Sequence, residues 1–208
     1  MRHRTALCPN PGPGRSQEEN VRRNMIQPIY LYGSEVLRQK AEAIDPGDRE
    51  YVAKLVQDLK DTLKNSEGVG LAAPQIGVSK RCVIVDGTGM ADVYDYLKDF
   101  RRTIINPVII SESEETCSYN EGCLSIPGIY ADVVRPSSIT VEYLDESLEK
   151  VTETFEGFAC RMVQHELSHL DGNMFVDLVA PIRKKIIGKK LVRIAQGRVG
   201  TQYNSKIK

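Results

Sequence analysis

The sequence predicts an α+β fold. Three observations carry that expectation. A helical periodicity opens the ordered part of the chain, several short β-rich runs follow, and a second helix comes after the strands without regular βαβ alternation. A length of 208 residues, 41% of them hydrophobic, suits one domain with a sizeable core and room for tails.

The elements follow in chain order. Residues 1–24, "MRHRTALCPNPGPGRSQEENVRRN", are rich in Pro, Gly, Arg and Ser and poor in large apolar residues, so a disordered N-terminal extension is expected. Its arginines suit a transit peptide, but Glu18, Glu19 and the Pro/Gly cluster speak against one. Met25 opens "MIQPIYLYG", which reads as a domain start. Within 48–65, Val52, Leu55, Val56, Leu59 and Leu63 recur at spacings of three and four, the pattern of an amphipathic helix. A glycine-rich segment, "EGVGLAAPQIG", occupies 67–77. Strands are expected at 81–86, 103–110, 131–135, 138–145 and 150–155, with Pro107 and Pro136 at edges, bends or strand ends. A helix is expected over 157–171, stopped by Gly172, and a basic helix over 182–196. Residues 25–180 thus make the main domain, and 181–208 a basic C-terminal tail, partly helical.

Charge and cysteine content exclude some classes. Lys and Arg balance Asp and Glu, so net charge does not point to nucleic acid, and no DNA partner is expected. No apolar run approaches membrane-spanning length, so no membrane partner is expected either. The five cysteines are odd in number and include no C-x-x-C pair. A disulfide framework is therefore not expected, and a reducing, cytoplasmic setting is.

The chemistry concentrates in "QHELSHLDG" at 164–172. His165 and His169 stand one helical turn apart and project from one face, so both imidazoles can reach one ion. Glu166 lies beside them as a candidate general base, the usual reading of H-E-x-x-H. A third ligand is missing downstream. The position for a third histidine holds Phe175, no Glu follows Glu166, and only Asp171 and Asp177 remain. Upstream, "NEGCLSIPG" at 120–128 offers Cys123, whose thiolate suits a borderline or soft divalent ion. A small buried residue is the plainer reading of Cys123. With His165 and His169 it completes a three-ligand site with one open position.

The segment "GVGLAAPQ" at 68–75 formally matches G-x-G-x-x-A, but a helix precedes it and Pro74 interrupts any helix it could open. A plain turn is one reading. A backbone passing close to a ligand, with Gln75 presenting an amide donor, is the other.

Together "GVGLAAPQ", "EGCLS" at 121–125 and "QHELSHLDG" resemble, in order and spacing, the three signature motifs of peptide deformylases, and the resemblance spans residues 25 to about 190. It implies an α+β fold of mixed and antiparallel β-structure around a central metal-binding helix. It implies a metallohydrolase domain at 25–180 that removes the N-formyl group from the initiator methionine of nascent polypeptides. The metal is implied to be Fe²⁺, with Zn²⁺ or Ni²⁺ as substitutes. The implied ligands are Cys123, His165 and His169, the implied base Glu166, and the implied carbonyl-polarising groups the Gln75 side chain and the Leu124 backbone N–H.

Substrate contacts are implied at Val69, Gly70, Glu121 and Gly122, and a structural ion pair between Glu121 and Arg135. Phe158 and Met162, on the helical face of His165, are expected to wall the pocket for the methionine side chain. Arg161 shares that face and is expected at the rim, or with its stem packed and its charge in water. Ser168 stands where the family usually carries an acidic or amide residue, typically Asp. It is expected to hydrogen-bond behind the metal ligands without adding charge. The basic tail is expected to touch ribosomal RNA. Three rival readings stay open: a metallopeptidase with a downstream ligand, a cysteine hydrolase using Cys123 and His165, and a non-catalytic ribosome-associated protein with a closed metal site.

Overall fold

Continuous burial along the central strands, at residues 82–85 and 103–105, lets the sheet serve two helices at once. In the computed structural model, which describes residues 26–207, strands β2 (Gly70–Ala72), β3 (Cys82–Asp86), β4 (Arg101–Glu112), β7 (Ser138–Leu144) and β8 (Lys150–Glu156) form one sheet. Its order is β2-β3-β4-β7-β8, and every neighbouring pair is antiparallel. Side chains of successive residues point to opposite faces. Val83, Val85, Ile104, Ile139, Val141 and Phe155 accordingly meet helix α2 (Gly157–Leu170) in one cluster. Cys82, Ile84, Ile105 and Leu71 meet helix α1 (Arg49–Lys64) in another.

Helix α1 forms where the apolar spacing predicts, and the Asp48 side chain accepts from Tyr51 N–H at its N-terminus. Pro107 falls at a register shift in β4, next to Asn106 at φ 51°, and Pro136 ends strand β6 (Ile126–Pro136). Both prolines therefore mark an irregularity or an end, as expected.

A second β unit covers the other side of α2. Strands β5 (Thr116–Cys123) and β6 (Ile126–Pro136) form an antiparallel hairpin. The expected strand at 131–135 is thus the end of a longer one, and β5 was not expected as a strand. Enclosed between sheet and hairpin, α2 buries most of its surface, the condition of a core helix. Its C-terminus closes as expected. Gly172 takes φ +73° and donates to His169 O, while Asn173 N donates to Ser168 O. A Cβ at Gly172 would lie 2.6 Å from Arg38 O.

The basic helix forms as α3 (Pro181–Ala195), and its Ile187, Leu191 and Ile194 share a buried cluster with Leu31, Leu37, Ile129 and Val133. Beyond it, the two-residue strand β9 (Ser205–Lys206) pairs in parallel with β1 (Ile29–Tyr30). No helix of the described residues is long and apolar enough to cross a membrane. The extension expected at 1–24, and Met25 with it, lie outside the described residues.

Candidate metal centre

The two histidines of α2 face each other edge-on, with ring centroids 5.2 Å apart. Cys123 ends β5 and brings its Sγ to 3.4 Å from His169 Nε2. One donor atom from each of Cys123, His165 and His169 lies within 4.8 Å of the others, the one such grouping among the described residues. The downstream carboxylates are engaged elsewhere: Asp171 pairs with Arg81 at 2.8 Å and Asp177 with Arg38 at 2.5 Å. A thiolate and two imidazoles suit a divalent ion of borderline softness, and three donors leave one position for water or substrate.

The histidines are prepared differently. Burial, then the charge of His165, pushes His169 well below the usual imidazole range, so it is neutral as a ligand must be. Burial also opposes charge on His165, but hydrogen bonds with Cys123 and Glu121 outweigh it and lift the group to about 10. A divalent ion competes for the same lone pair as that proton. Glu121 Oε2 sits 2.8 Å from His165 Nδ1, which leaves Nε2 as the donor atom and orients the ring.

Behind His165 lies a buried charge network. Burial alone would raise the Glu121 carboxyl, but hydrogen bonds from His165 and Arg135 hold it well below the usual carboxylate range. Arg135 grips its two oxygens at 2.8 and 3.0 Å, so the expected ion pair forms. Arg161 joins it at 2.7 Å and also donates to Val133 O and Cys117 O, each at 2.8 Å. Of the two expectations for Arg161, the structure keeps the place beside the cavity and overturns the charge in water. The residue is 2% exposed, and its charge reaches Glu121 and the hairpin carbonyls rather than water. Glu121, expected among the substrate contacts, lines the cavity over the donor set, while its carboxylate is taken up by two arginines and a histidine.

Ser168 serves this network. Its hydroxyl donates to Gln164 O at 2.8 Å and accepts from Arg135 Nη1 at 2.8 Å. Ser168→Ala strips that nitrogen of its partner, and a loss of about 1–3 kcal/mol is expected. Urea denaturation measures it; an unchanged midpoint and slope would show that water replaces the hydroxyl at no cost.

Glu166 is 5% exposed, and its Oε2 has no hydrogen-bond partner among the described residues. Burial raises it to about 7. Gly70 makes room for this carboxylate, since a Cβ there would lie 2.5 Å from Glu166 Oε1. Gln75 sits in a short 3-10 turn (Ala73–Ile76) after β2. Its Oε1 accepts from Ala72 N–H at 2.8 Å, so Nε2 points to Ser125 Oγ at 3.2 Å and Cys123 Sγ at 3.6 Å. Leu124 follows Cys123 in the turn between β5 and β6.

A cavity of about 820 Å³ opens over these groups. Val69, Gly70, Gly122 and Leu124 border it, as do Phe158 and Met162 on α2. Phe158 stacks on Tyr94 with centroids 5.0 Å apart, and Met162 is 3% exposed within the core cluster. The sequence reading did not foresee residues 200–203, which border the cavity from the far end of the chain. No local pattern marks them, because their role depends on where β9 pairs.

Comparisons with known proteins agree with this geometry. A sequence profile described as polypeptide deformylase matches residues 26–185. The peptide deformylase of Christiangramia forsetii is 41% identical over 189 residues, covering 88% of this chain and 96% of that protein. A crystal structure of a peptide deformylase from Legionella pneumophila superposes with a TM-score of 0.73 at 36% identity, covering 85% of this chain and 100% of the other. That from Thermus thermophilus gives 0.73 at 35% identity, covering 83% and 99%. Three motifs that converge on one cluster, matched along nearly the whole length of such relatives, place this chain in the polypeptide deformylase family.

Proposed function

We propose that this chain hydrolyses the N-formyl group of N-formylmethionyl nascent peptides, releasing formate, with Glu166 as its proton carrier. The observation that carries the assignment of roles is Glu166 itself: buried, unpaired, raised to about 7, and beside a Cys123–His165–His169 donor set.

Cys123, His165 and His169 would hold a divalent ion, which when bound would supply Lewis acidity and lower the pKa of water toward neutrality. Glu166 takes the proton of the attacking water and passes it to the departing amine. The Gln75 amide and the Leu124 N–H hold the formyl oxygen as charge develops on it. Glu121 keeps His165 oriented, while Arg135 and Arg161 keep Glu121 ionised. Val69, Phe158 and Met162 accept the methionine side chain. Iron is the ion we assign in the cell, with zinc or nickel as substitutes. Anaerobic metal analysis paired with formate release from formyl-Met peptides tests the reading; iron-protected enzyme with one metal but no formate release would overturn it.

We place the enzyme in the cytosol, a setting that suits its free thiols at Cys82, Cys117, Cys123 and Cys160. We further propose that α3 contacts ribosomal RNA through its exposed Lys185, Lys189 and Arg193. Because Ile187, Leu191 and Ile194 of α3 are buried, truncation would damage the core, and charge reversal is the cleaner probe. Replacing the three cations by Glu should weaken ribosome co-sedimentation, most visibly at low salt, while leaving hydrolysis of free peptides intact. Unchanged co-sedimentation across a salt series would refute the contact.

A further inference from the structure

The turn at 124–125 is fastened from outside by two ends of the chain. The Tyr203 hydroxyl donates to Leu124 O, and Tyr32 N–H donates to Ser125 O at 2.8 Å. The two anchors belong to one unit. Ile29 N–H donates to Asn204 O and Leu31 N–H to Lys206 O, each at 2.9 Å, along the β1–β9 pair. Thr201 Oγ1 donates to Tyr203 O at 2.7 Å and lies 2.8 Å from Ser205 Oγ, which shapes the segment before β9. The Tyr203 ring packs against the cluster that includes Leu59, Leu63 and Leu71.

From this arrangement we infer that Tyr203 is a positioning residue for deformylation. It holds the Leu124 carbonyl so that the N–H of the same residue stays aimed into the cavity. The inference rests on the role proposed above for that N–H. The geometry is restrictive on every side of Leu124. Its nitrogen is bonded to Cys123, whose Sγ is a metal donor, and its carbonyl is held by Tyr203. Its side chain leans on Gly68, where an added Cβ would lie 2.8 Å from Leu124 Cδ1. A carbonyl held by Tyr203 and a side chain confined at Gly68 limit how the Leu124 backbone can rotate, and with it how far its N–H can swing. Burial pushes the Tyr203 phenol up to about 12, so it stays a donor at neutral pH. Donors fixed before charge develops need no reorganisation when the substrate reacts, and this is why a remote hydrogen bond reaches the rate.

Tyr203→Phe removes the hydroxyl and keeps the ring. Formate release from a formyl-Met peptide should fall about tenfold in kcat. KM should stay within about twofold, because substrate binding does not depend on the charge that develops later. Metal content and Tm should match wild type. An equally active Tyr203→Phe enzyme beside active wild type would overturn this inference alone. So would a loss of activity that only tracks lost metal or lowered Tm, since that is what a structural role produces. Wild type without formate release would overturn the function and the inference together.

Discussion

Glu166→Gln is expected to keep its metal and lose about 10²- to 10⁴-fold in kcat. Gln preserves the shape of the side chain under Gly70 but cannot accept the proton of the attacking water. The ligands Cys123, His165 and His169 are untouched, so stoichiometric metal should persist, and a variant that retains metal and turns over at the wild-type rate would remove Glu166 from the mechanism.

The same substitution has a second signature in chelated protein. Burial raises the Glu166 carboxyl to about 7 from an ordinary 4.5, so the folded chain binds this proton more tightly than the unfolded chain. The resulting stabilisation is fully present below the unfolded value. It is lost as pH rises from there to about 7, and it stays lost above. Glu166→Gln carries no such loss. Relative to wild type it should gain stability between pH 5 and pH 8, up to a ceiling of about 3 kcal/mol. Denaturation curves of the two chelated proteins at both pH values decide it; equal gaps at pH 5 and pH 8 would mean the carboxylate is hydrated in the fold.

Cys123→Ala carries the other large effect. It removes one of three protein donors and leaves two imidazoles, so metal affinity should fall by at least about 100-fold, with formate release falling in step. Competition with a chelator gives the affinity. The hairpin should survive, because Cys123 pairs with Ile126 only at the turn end of the β5–β6 register, beyond the shift after Gly122. A cysteine-nucleophile mechanism predicts something different: an active wild type without metal, and an Ala variant whose metal behaviour is unchanged. Metal content therefore separates the two chemistries where activity alone does not.

Much of the fold was legible because its cues are local. The apolar spacing of α1 and α2, the apolar runs of β3 and β4 and the alternation along β7 and β8 each report a face that must be buried. Strand β5 escaped notice because "TCSYNEGC" carries no apolar face. Its inward residues include Glu121, a sensible inward residue only opposite Arg135 and Arg161. The buried charge of Arg161 is illegible in the sequence for the same reason. On an isolated helix a guanidinium belongs in water, and only the hairpin across from it supplies a counter-charge and two carbonyls.

The i, i+4 histidines, the carboxylate beside them and the glycine that ends their helix are matters of helical geometry, and chain order alone makes them legible. Cys123 was named as the missing ligand from its chemistry, but its place beside His169, 46 residues away, comes from the β5–β6 hairpin packed on α2. Tyr203 lies 79 residues from Leu124, and no motif links them. Contacts of that range depend on sheet register and on which strands pair, which are properties of the closed chain. Local periodicity therefore revealed what kind of site this is, and tertiary packing decided which distant residues orient it.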